Sequence, residues 1–142
     1  MAEKLLVDTG PIVASLVGRD ANNRWAREQF GRLRPPLLTC EPVLAEASYI
    51  VESRGGDPAS VLKLLTLGVL EVAFDLEDEV DALEVLMRRY RNVPMSLADG
   101  CLVRMSEIHT PCRLLTTDSD FSVYRRHSRR IIPVLMPASR HE

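Results

Sequence analysis

The amino-acid sequence predicts an α/β fold, in which helices cover both faces of a mainly parallel central sheet as a three-layer α/β/α sandwich. Short apolar runs, which are typical of buried strands, alternate along the chain with longer segments whose apolar residues recur at helical spacing. The chain has 142 residues, 46% of them hydrophobic and 27% charged, which suits one soluble domain with a sizeable core. We therefore expect a single domain over residues 1–136 and a frayed tail at 137–142.

The predicted strands are short, and turn formers or helix starts bound them. The first strand ends directly before Asp8-Thr9-Gly10-Pro11, where Gly10 permits a tight turn and Pro11 suits the first turn of a helix. The last strand contains Pro133, which is typical of a sheet edge. The predicted strands are Leu5–Val7, Leu37–Thr39, Leu70–Ala73, Leu114–Leu115 and Ile131–Leu135.

Helices are predicted between these strands, and capping residues or prolines mark several of their starts. Asp57 precedes Pro58 as an N-cap, and Pro42 lies in a first turn. Ser96 with Asp99 resembles a capping box with aspartate in place of glutamate, which gives Asp99 a purely structural alternative. The predicted helices are Pro11–Leu16, Asn22–Phe30, Thr39–Ser53, Pro58–Leu67, Glu77–Arg91 and Ser96–Ile108.

Two acidic segments follow directly on predicted strands, in the loops that form the ligand-binding crevice of an open parallel sheet. Asp8 follows the first strand, and Asp118 and Asp120 follow the run Leu114–Leu115. Two carboxylates about 5 Å apart repel by about 3 kcal/mol at an effective dielectric constant of about 20, so a cation between them is favoured. The alternatives are a helix N-cap for Asp8 and a solvated Asx-turn for the later pair.

Two further acids lie on helices near the same crevice. Glu46 falls about 60° from Val43 around its helix, at the shoulder of the buried face, and the alternative is an ordinary rim residue. Asp99 opens the last long helix. The acids that begin the helix at Glu77 complement its macrodipole, so we assign them to stability. Four acids from separate segments are thus expected to converge: Asp8, Glu46, Asp99 and Asp118.

Charge and cysteine content narrow the class of protein. The formal net charge is −2 and the pI about 5.9, so no global basic field attracts nucleic acid. Cys40, Cys101 and Cys112 form no CxxC pair, which favours a reduced intracellular compartment. No signal peptide or apolar run of spanning length occurs, so we expect a cytoplasmic protein without membrane contact.

Four motifs occur along nearly the whole chain: LLVDTGPIVA, the acid in TCEPVLAEASYI, MSLADGCLVRMSE and LLTTDSDFSVYR. In this order and spacing the sequence resembles PIN-domain ribonucleases, and among them the VapC-like toxins of bacterial and archaeal toxin–antitoxin pairs. The resemblance implies a PIN-like fold and a catalytic site made of Asp8, Glu46, Asp99 and Asp118. It also implies that Asp120 is a supporting acid and that the hydroxyl of Thr116 helps to order the site.

The chemistry of the acids agrees with this resemblance. Carboxylates without convergent His or Cys select hard cations such as Mg²⁺ or Mn²⁺, and we give the histidines no role. Asp8, Asp99 and Asp118 are expected to hold the metal, and Glu46 to orient or deprotonate the attacking water. The expected reaction is hydrolysis of an RNA phosphodiester, with the 5′-phosphate and 3′-hydroxyl ends that the family leaves.

The partners expected beside the RNA substrate are those that the resemblance implies, a homodimeric copy and a cognate antitoxin that covers the cleft. Apolar helical surface around Val61, Leu64 and Leu65 serves either interface or is buried in the monomer. A basic segment after Asp118 is predicted to contact RNA phosphates, with an aromatic ring stacked on a base, and its alternative is a solvated surface turn. This segment comprises Tyr124, Arg125, Arg126, Arg129 and Arg130.

Three other classes of protein are alternatives to a nuclease. A phosphoacceptor signalling domain uses a lysine from a late strand, and this chain has no lysine after Lys63. A haloacid-dehalogenase-like phosphatase needs a DxD motif on the first strand, where this chain has Asp8-Thr9-Gly10. A non-catalytic PIN-like module that binds RNA or protein, with acids in structural roles, remains the alternative.

Overall fold

The computed structural model describes residues 2–138, so the part of the predicted tail at 139–142 lies outside the described residues. Over this range the chain forms seven strands in two sheets. They are β1 (Lys4–Val7), β2 (Leu37–Thr39), β3 (Leu70–Val72), β4 (Cys112–Leu115), β5 (Arg125–Arg126), β6 (Arg130–Ile131) and β7 (Val134–Leu135).

Six α-helices flank the main sheet in the described range, and the predicted three-layer α/β/α sandwich with a mainly parallel sheet is confirmed. The helices are α1 (Thr9–Leu16), α2 (Asn23–Arg32), α3 (Glu41–Ser53), α4 (Ala59–Thr66), α5 (Val80–Arg89) and α6 (Leu97–Ile108). The predicted helix from Glu77 begins instead with a 3₁₀ turn over Glu77–Glu79, and its α-helical part starts at Val80.

The main sheet has the strand order β3-β2-β1-β4-β7, and all its paired strands are parallel. The chain runs outward from β1 through β2 to β3 and then returns to β4 on the other side of β1. Strand order therefore reverses between β1 and β4, where Val7 pairs with Leu115. In such sheets this reversal opens a crevice beyond the carboxyl ends of the strands. Asp8 follows β1 at this point, and the loop to Asp118 follows β4.

The core lies between the central strands and the helices that cover them. β2 is buried along its whole length, and the hydroxyl of Thr39 donates to the carbonyl of Val7 at 3.1 Å, so the two strand ends are tied together. In α6 the side chains of Ala98, Cys101, Leu102 and Met105 are buried, whereas Ile108 is 45% exposed at the end of the helix.

The predicted strand Ile131–Leu135 is two strands in different sheets. Ile131 belongs to β6, which pairs antiparallel with β5, whereas Val134 and Leu135 join the edge of the main sheet beside β4. Pro133 lies between them, and a proline has no N–H to continue a ladder. Its carbonyl accepts from Leu114 at 2.8 Å, so the chain re-enters the main sheet at this residue. The expected edge position of the last strand is confirmed.

Candidate functional site

A cavity of about 340 Å³ opens at the strand-order reversal, between the start of α1, α3, the start of α6 and the loop after β4. The structure brings the four predicted acids into its lining, although they come from four separate segments of the chain. Asp120, the predicted supporting acid, is not among the residues that line it. The acidic cavity is lined by Asp8, Thr9, Gly10, Val13, Asp20, Asn22, Glu46, Ile50, Arg54, Asp99, Thr117 and Asp118.

Asp8 is the most enclosed of these acids, with 5% of its surface exposed. One carboxylate oxygen accepts from the backbone N–H of Thr9 at 2.7 Å, so Asp8 also caps α1. The other accepts from the hydroxyl of Thr116 at 2.8 Å. Burial raises the pKa of Asp8 to about 7, and the nearby charges of Asp99 and Asp118 act in the same direction, against the lowering effect of the two hydrogen bonds.

Thr116 connects two of the acids from behind the cavity. Its side chain is fully buried, and its hydroxyl oxygen accepts from the backbone N–H of Asp118 at 2.9 Å while the hydroxyl donates to Asp8. Asp118 in turn accepts from the backbone N–H of Asp120 at 2.9 Å. The Asx-turn alternative is therefore present as local geometry, and it fixes the orientation of a carboxylate that also faces the cavity.

Asp99 lies in the first turn of α6, where two structural contacts hold it. Its backbone N–H donates to the hydroxyl of Ser96 at 3.1 Å, which is the capping contact expected from the sequence. The hydroxyl of Tyr124 donates to its carboxylate at 3.0 Å. Burial raises the pKa of Asp99, the Tyr124 hydrogen bond lowers it, and the charge of Asp118 raises it again.

Glu46 faces the cavity from the second turn of α3. Its side chain is half-buried, and one oxygen accepts from the hydroxyl of Thr9 at 3.2 Å. Because Thr9 directly follows Asp8, this contact joins the glutamate to the start of α1. Within the described range this is the one hydrogen bond of the Glu46 side chain, and the other carboxylate oxygen is available to a ligand in the cavity.

The donor atoms of the cavity suit a hard cation. All four acids offer carboxylate oxygens, and the charges of Asp99 and Asp118 raise the pKa of Asp8, so the carboxylates repel one another and a cation would relieve the repulsion. In the arrangement over residues 2–138, however, no group of three His, Cys, Asp or Glu side chains is placed to hold a metal ion. The cavity therefore fits a hard cation by the chemistry of its donor atoms and not by their arrangement.

The predicted role of Tyr124 as a stacking platform for RNA is wrong. Its side chain is completely buried, and its ring packs edge-on against Tyr90 and Phe121, with centroid distances of 5.2 and 5.4 Å. A ring without exposed surface cannot stack on a base. The sequence analysis did not predict the hydrogen bond from Tyr124 to Asp99. Tyr124 lies three residues after Phe121, across a 3₁₀ turn, and this spacing indicates that both aromatic side chains face the core.

The predicted arginine contacts divide into two groups. Arg126 is 7% exposed and donates to the hydroxyl of Thr110 at 2.7 Å, so the prediction that it contacts RNA is wrong. Arg125 uses one guanidinium nitrogen on the carbonyls of residues 122, 123 and 124. Arg129 and Arg130 are exposed and line a separate cavity of about 520 Å³, together with His127. Arg125, Arg129 and Arg130 remain predicted RNA contacts.

The exposed arginines lie farther from the acids than their place in the sequence indicates. The backbone N–H of His127, at the tip of the β5–β6 hairpin, donates to Glu107 at 2.5 Å. Glu107 is eight residues from Asp99 along α6, which corresponds to about 12 Å of helix. The hairpin therefore contacts the end of α6 opposite to the acids. Among the described residues that line the acidic cavity, the cation is Arg54 and not an arginine of the hairpin.

Comparison with known proteins identifies relatives of this fold. The family model of the PIN domain matches residues 5–126. The crystal structure of VapC20 from Mycobacterium tuberculosis, described as a sarcin-ricin loop cleaving toxin, is similar to this chain with a TM-score of 0.73. The alignment covers 84% of this chain and 94% of that chain at 21% sequence identity, and this likeness is one of fold. No curated protein matches the chain significantly.

Proposed function

The chain belongs to the PIN-domain family, and we propose on this premise that it is a metal-dependent endoribonuclease that hydrolyses RNA phosphodiesters in the acidic cavity. The observation that carries the proposal is the convergence of Asp8, Glu46, Asp99 and Asp118 on one cavity at the strand-order reversal. These four residues come from separate segments of the chain, yet their carboxylates line the same space.

In the proposed mechanism, Asp8, Asp99 and Asp118 would hold Mg²⁺ or Mn²⁺ directly or through water. Such an ion would lower the pKa of a bound water and neutralise charge that grows on the phosphate. Glu46, anchored by Thr9 at one oxygen, orients or deprotonates the attacking water with the other. Thr116 and the turn at Asp120 hold two of the acids in place. The products carry 5′-phosphate and 3′-hydroxyl ends.

We further propose that this ribonuclease is the toxin of a toxin–antitoxin pair and forms a homodimer. The likeness to VapC20 supports this role. A cognate antitoxin would place a basic side chain among the acids. Of the apolar residues predicted for an interface, Val61 is fully buried in the monomer, whereas its neighbours Leu62 and Leu67 are more than half exposed. Every helix over residues 2–138 is too short or too polar to cross a membrane. A cytoplasmic location is part of the proposal.

A non-catalytic binding module is the second candidate, because several acids also have structural contacts. Asp8 caps α1, Asp118 caps a 3₁₀ turn, and Asp99 is bonded by Tyr124. Such contacts would keep the acids in place without any reaction. The two candidates differ in whether the carboxylates bind a metal and whether RNA is cut.

Cleavage and melting of three proteins distinguish the candidates. Wild type should cut RNA with Mg²⁺ or Mn²⁺ and stop in EDTA, and Asp99→Asn should abolish cleavage. In EDTA, Asp99→Asn should melt higher than wild type, because one member of a mutually repelling set of charges is gone. Asp81→Asn, the same change on the exposed face of α5, is the control and should leave cleavage intact.

Magnesium titration of the melting temperature completes this test. At 100 times its dissociation constant, Mg²⁺ should stabilise the wild type by about 2.7 kcal/mol and leave Asp99→Asn nearly unchanged. A wild-type melting temperature that does not respond to millimolar Mg²⁺ would rule out the shared metal site. Metal-dependent stabilisation without cleavage of any RNA would favour the binding module.

A further inference from the structure

The acidic cavity has a basic end that no sequence motif predicted. Arg54 is the C-cap residue of α3 and lines the same cavity as the four acids. It lies eight residues after Glu46, which corresponds to about 12 Å along the helix. Ile50 lines the wall between them, as expected for residues spaced by four on one side of a helix. The cavity therefore runs along α3 from a carboxylate end to a guanidinium end.

Contacts with the α1–α2 loop hold the guanidinium in position. One terminal nitrogen of Arg54 donates to Asp20 at 2.6 Å, and the other carboxylate oxygen of Asp20 accepts from the backbone N–H of Asn22 at 2.8 Å. The side chain of Arg19 donates to the carbonyl of Arg54 at 2.6 Å. The backbone and one corner of the side chain are thus fixed from the same loop.

The rest of the guanidinium is available to a ligand. An arginine has five N–H donors, and over residues 2–138 Asp20 is the one acceptor that bonds this guanidinium. The side chain is 34% exposed, whereas that of Asp20 is 17% exposed. Arg54 is therefore anchored on its enclosed side and open toward the cavity, with a planar set of donors that suits a phosphate.

Electrostatics give this arginine a specific task. A phosphodiester strand is a polyanion, and the five acids that line the cavity repel it unless positive charge lies within reach. Among the described residues that line the cavity, Arg54 is the one cation. Arg129 and Arg130 belong to a separate cavity at the far end of α6. Because Arg54 is about two helical turns from Glu46, it would meet a different phosphate from the one that is hydrolysed.

We propose that Arg54, held by Asp20, binds a phosphate of the RNA strand beside the scissile one and so sets the path of the strand through the acidic cavity. This assignment rests on the proposed ribonuclease function. It makes Arg54 the member of this ion pair that binds RNA, and Asp20 the member that adds stability alone. A purely structural role predicts instead that the ion pair stabilises the α1–α2 loop and that RNA does not distinguish its two members.

The test is RNA binding as a function of salt, measured by fluorescence anisotropy with a labelled single-stranded RNA and with Ca²⁺ in place of Mg²⁺ to limit cleavage. Arg54→Met should weaken binding and make the fall of log affinity with log salt shallower by about 0.7, the value for one phosphate contact on a single strand. Arg54→Lys keeps the charge and should largely restore the slope. Arg88→Met, which breaks an exposed ion pair on α5, is the control and should change neither quantity.

Asp20→Asn separates binding from structure. It breaks the same ion pair and should lower the melting temperature as Arg54→Met does, yet it removes a negative charge and should leave RNA binding unchanged or tighter. Equal weakening by both substitutions would overturn the proposal in favour of a structural ion pair. If Arg54→Met showed the same salt slope as the wild type, the phosphate contact would also be ruled out, while RNA cleavage by the wild type would still support the ribonuclease function. If the wild type neither bound nor cut RNA, the phosphate contact and the ribonuclease function would both be ruled out.

Discussion

Each of the four predicted catalytic acids receives at least one hydrogen bond that fixes its orientation. Side-chain hydroxyls donate to three of these acids, and a backbone N–H donates to the fourth. A hydrogen bond to a charged group is worth about 1.5–3 kcal/mol, and a buried one also restricts the rotamer of its acceptor. The donors are Thr116 to Asp8, Thr9 to Glu46, Tyr124 to Asp99 and the N–H of Asp120 to Asp118.

The contact between Tyr124 and Asp99 leads to a prediction about one oxygen atom. Tyr124→Phe should lower the free energy of unfolding by about 1–3 kcal/mol, because a buried carboxylate loses a donor. It should also slow RNA cleavage, since Asp99 is no longer held toward the cavity. Urea unfolding and cleavage rates measure the two effects.

Tyr90→Phe is the matched control for this substitution. Tyr90 packs against Tyr124, but its hydroxyl accepts from the backbone N–H of Arg125 and, among residues 2–138, forms no hydrogen bond with an acid. We expect it to lose stability and to keep the wild-type cleavage rate. Equal cleavage rates in both variants would show that the Tyr124 hydroxyl matters for folding alone.

At the scale of elements, the acidic cavity depends on two loops that approach very closely. A Cβ atom on Gly10, at the start of α1, would lie 2.1 Å from the hydroxyl oxygen and 3.3 Å from the Cβ atom of Thr117, in the loop after β4. With Thr117 in place, any side chain at residue 10 would force the two segments apart or Thr117 to move. The absence of a side chain at Gly10 therefore permits the close approach of the segments that carry Asp8 and Asp118.

Gly10→Ala should consequently destabilise the protein by about 1–3 kcal/mol, the usual cost of overpacking, as measured by urea unfolding. Combining it with Thr117→Ala removes the clashing oxygen, so the double variant should recover much of the loss. Gly31→Ala in α2 is the control. Its added Cβ meets no atom within 4 Å, and it should be neutral or slightly stabilising. Additive effects at Gly10 and Thr117 would contradict the contact.

Elements were predictable where local chemistry specifies them. β1 and the start of α1 follow from an apolar run that ends at Gly10 and Pro11. The β5–β6 hairpin was missed because its turn residues, His127 and Ser128, have positive φ angles of 50° and 68° without the asparagine or glycine that usually marks such a turn. The sheet to which Ile131 belongs depends on pairing partners, which periodicity does not identify.

At the scale of the whole molecule, the four acids could be predicted because each follows a strand or lies on a recognisable helix face. Arg54 could not be assigned to the cavity, since it lies eleven residues, or about three helical turns, after Val43 and therefore falls on the face of the helix that the sequence predicts to be buried. Its position depends on Asp20, in a loop 34 residues away in the sequence. The division of the later arginines into buried and exposed members likewise depends on tertiary packing against α6.

At the same scale, the free energy of unfolding should depend on pH through Asp8. The folded protein keeps a proton on this carboxyl up to about pH 7, whereas the unfolded chain releases it near 3.8. Between these values the folded state binds more protons, so rising pH lowers the free energy of unfolding, by at most about 1.4 kcal/mol per pH unit.

The measurement is urea unfolding in EDTA from pH 4 to 8, with Asp8→Asn as the reference. As pH rises, the free energy of unfolding of the wild type should fall relative to that of Asp8→Asn. Saturating Mg²⁺ should reduce this shift at neutral pH, because metal binding favours the ionised carboxylate. Parallel profiles in EDTA would contradict a raised pKa for Asp8.

The pairing of β1 with β4 also affects how the protein is made. Asp8 and Thr116 are joined by a hydrogen bond across 108 residues of sequence, and Tyr124 reaches Asp99 from still later in the chain. Contacts of such long range form only after the intervening segment exists, and synthesis proceeds from the amino terminus. While the ribosome is still translating the first three strands, the nascent chain contains Asp8 and Glu46 without the partners that orient Asp8 and complete the cavity. The acidic cavity is therefore completed late in translation, and a chain that ends before β4 lacks Thr117 and Asp118 of its lining.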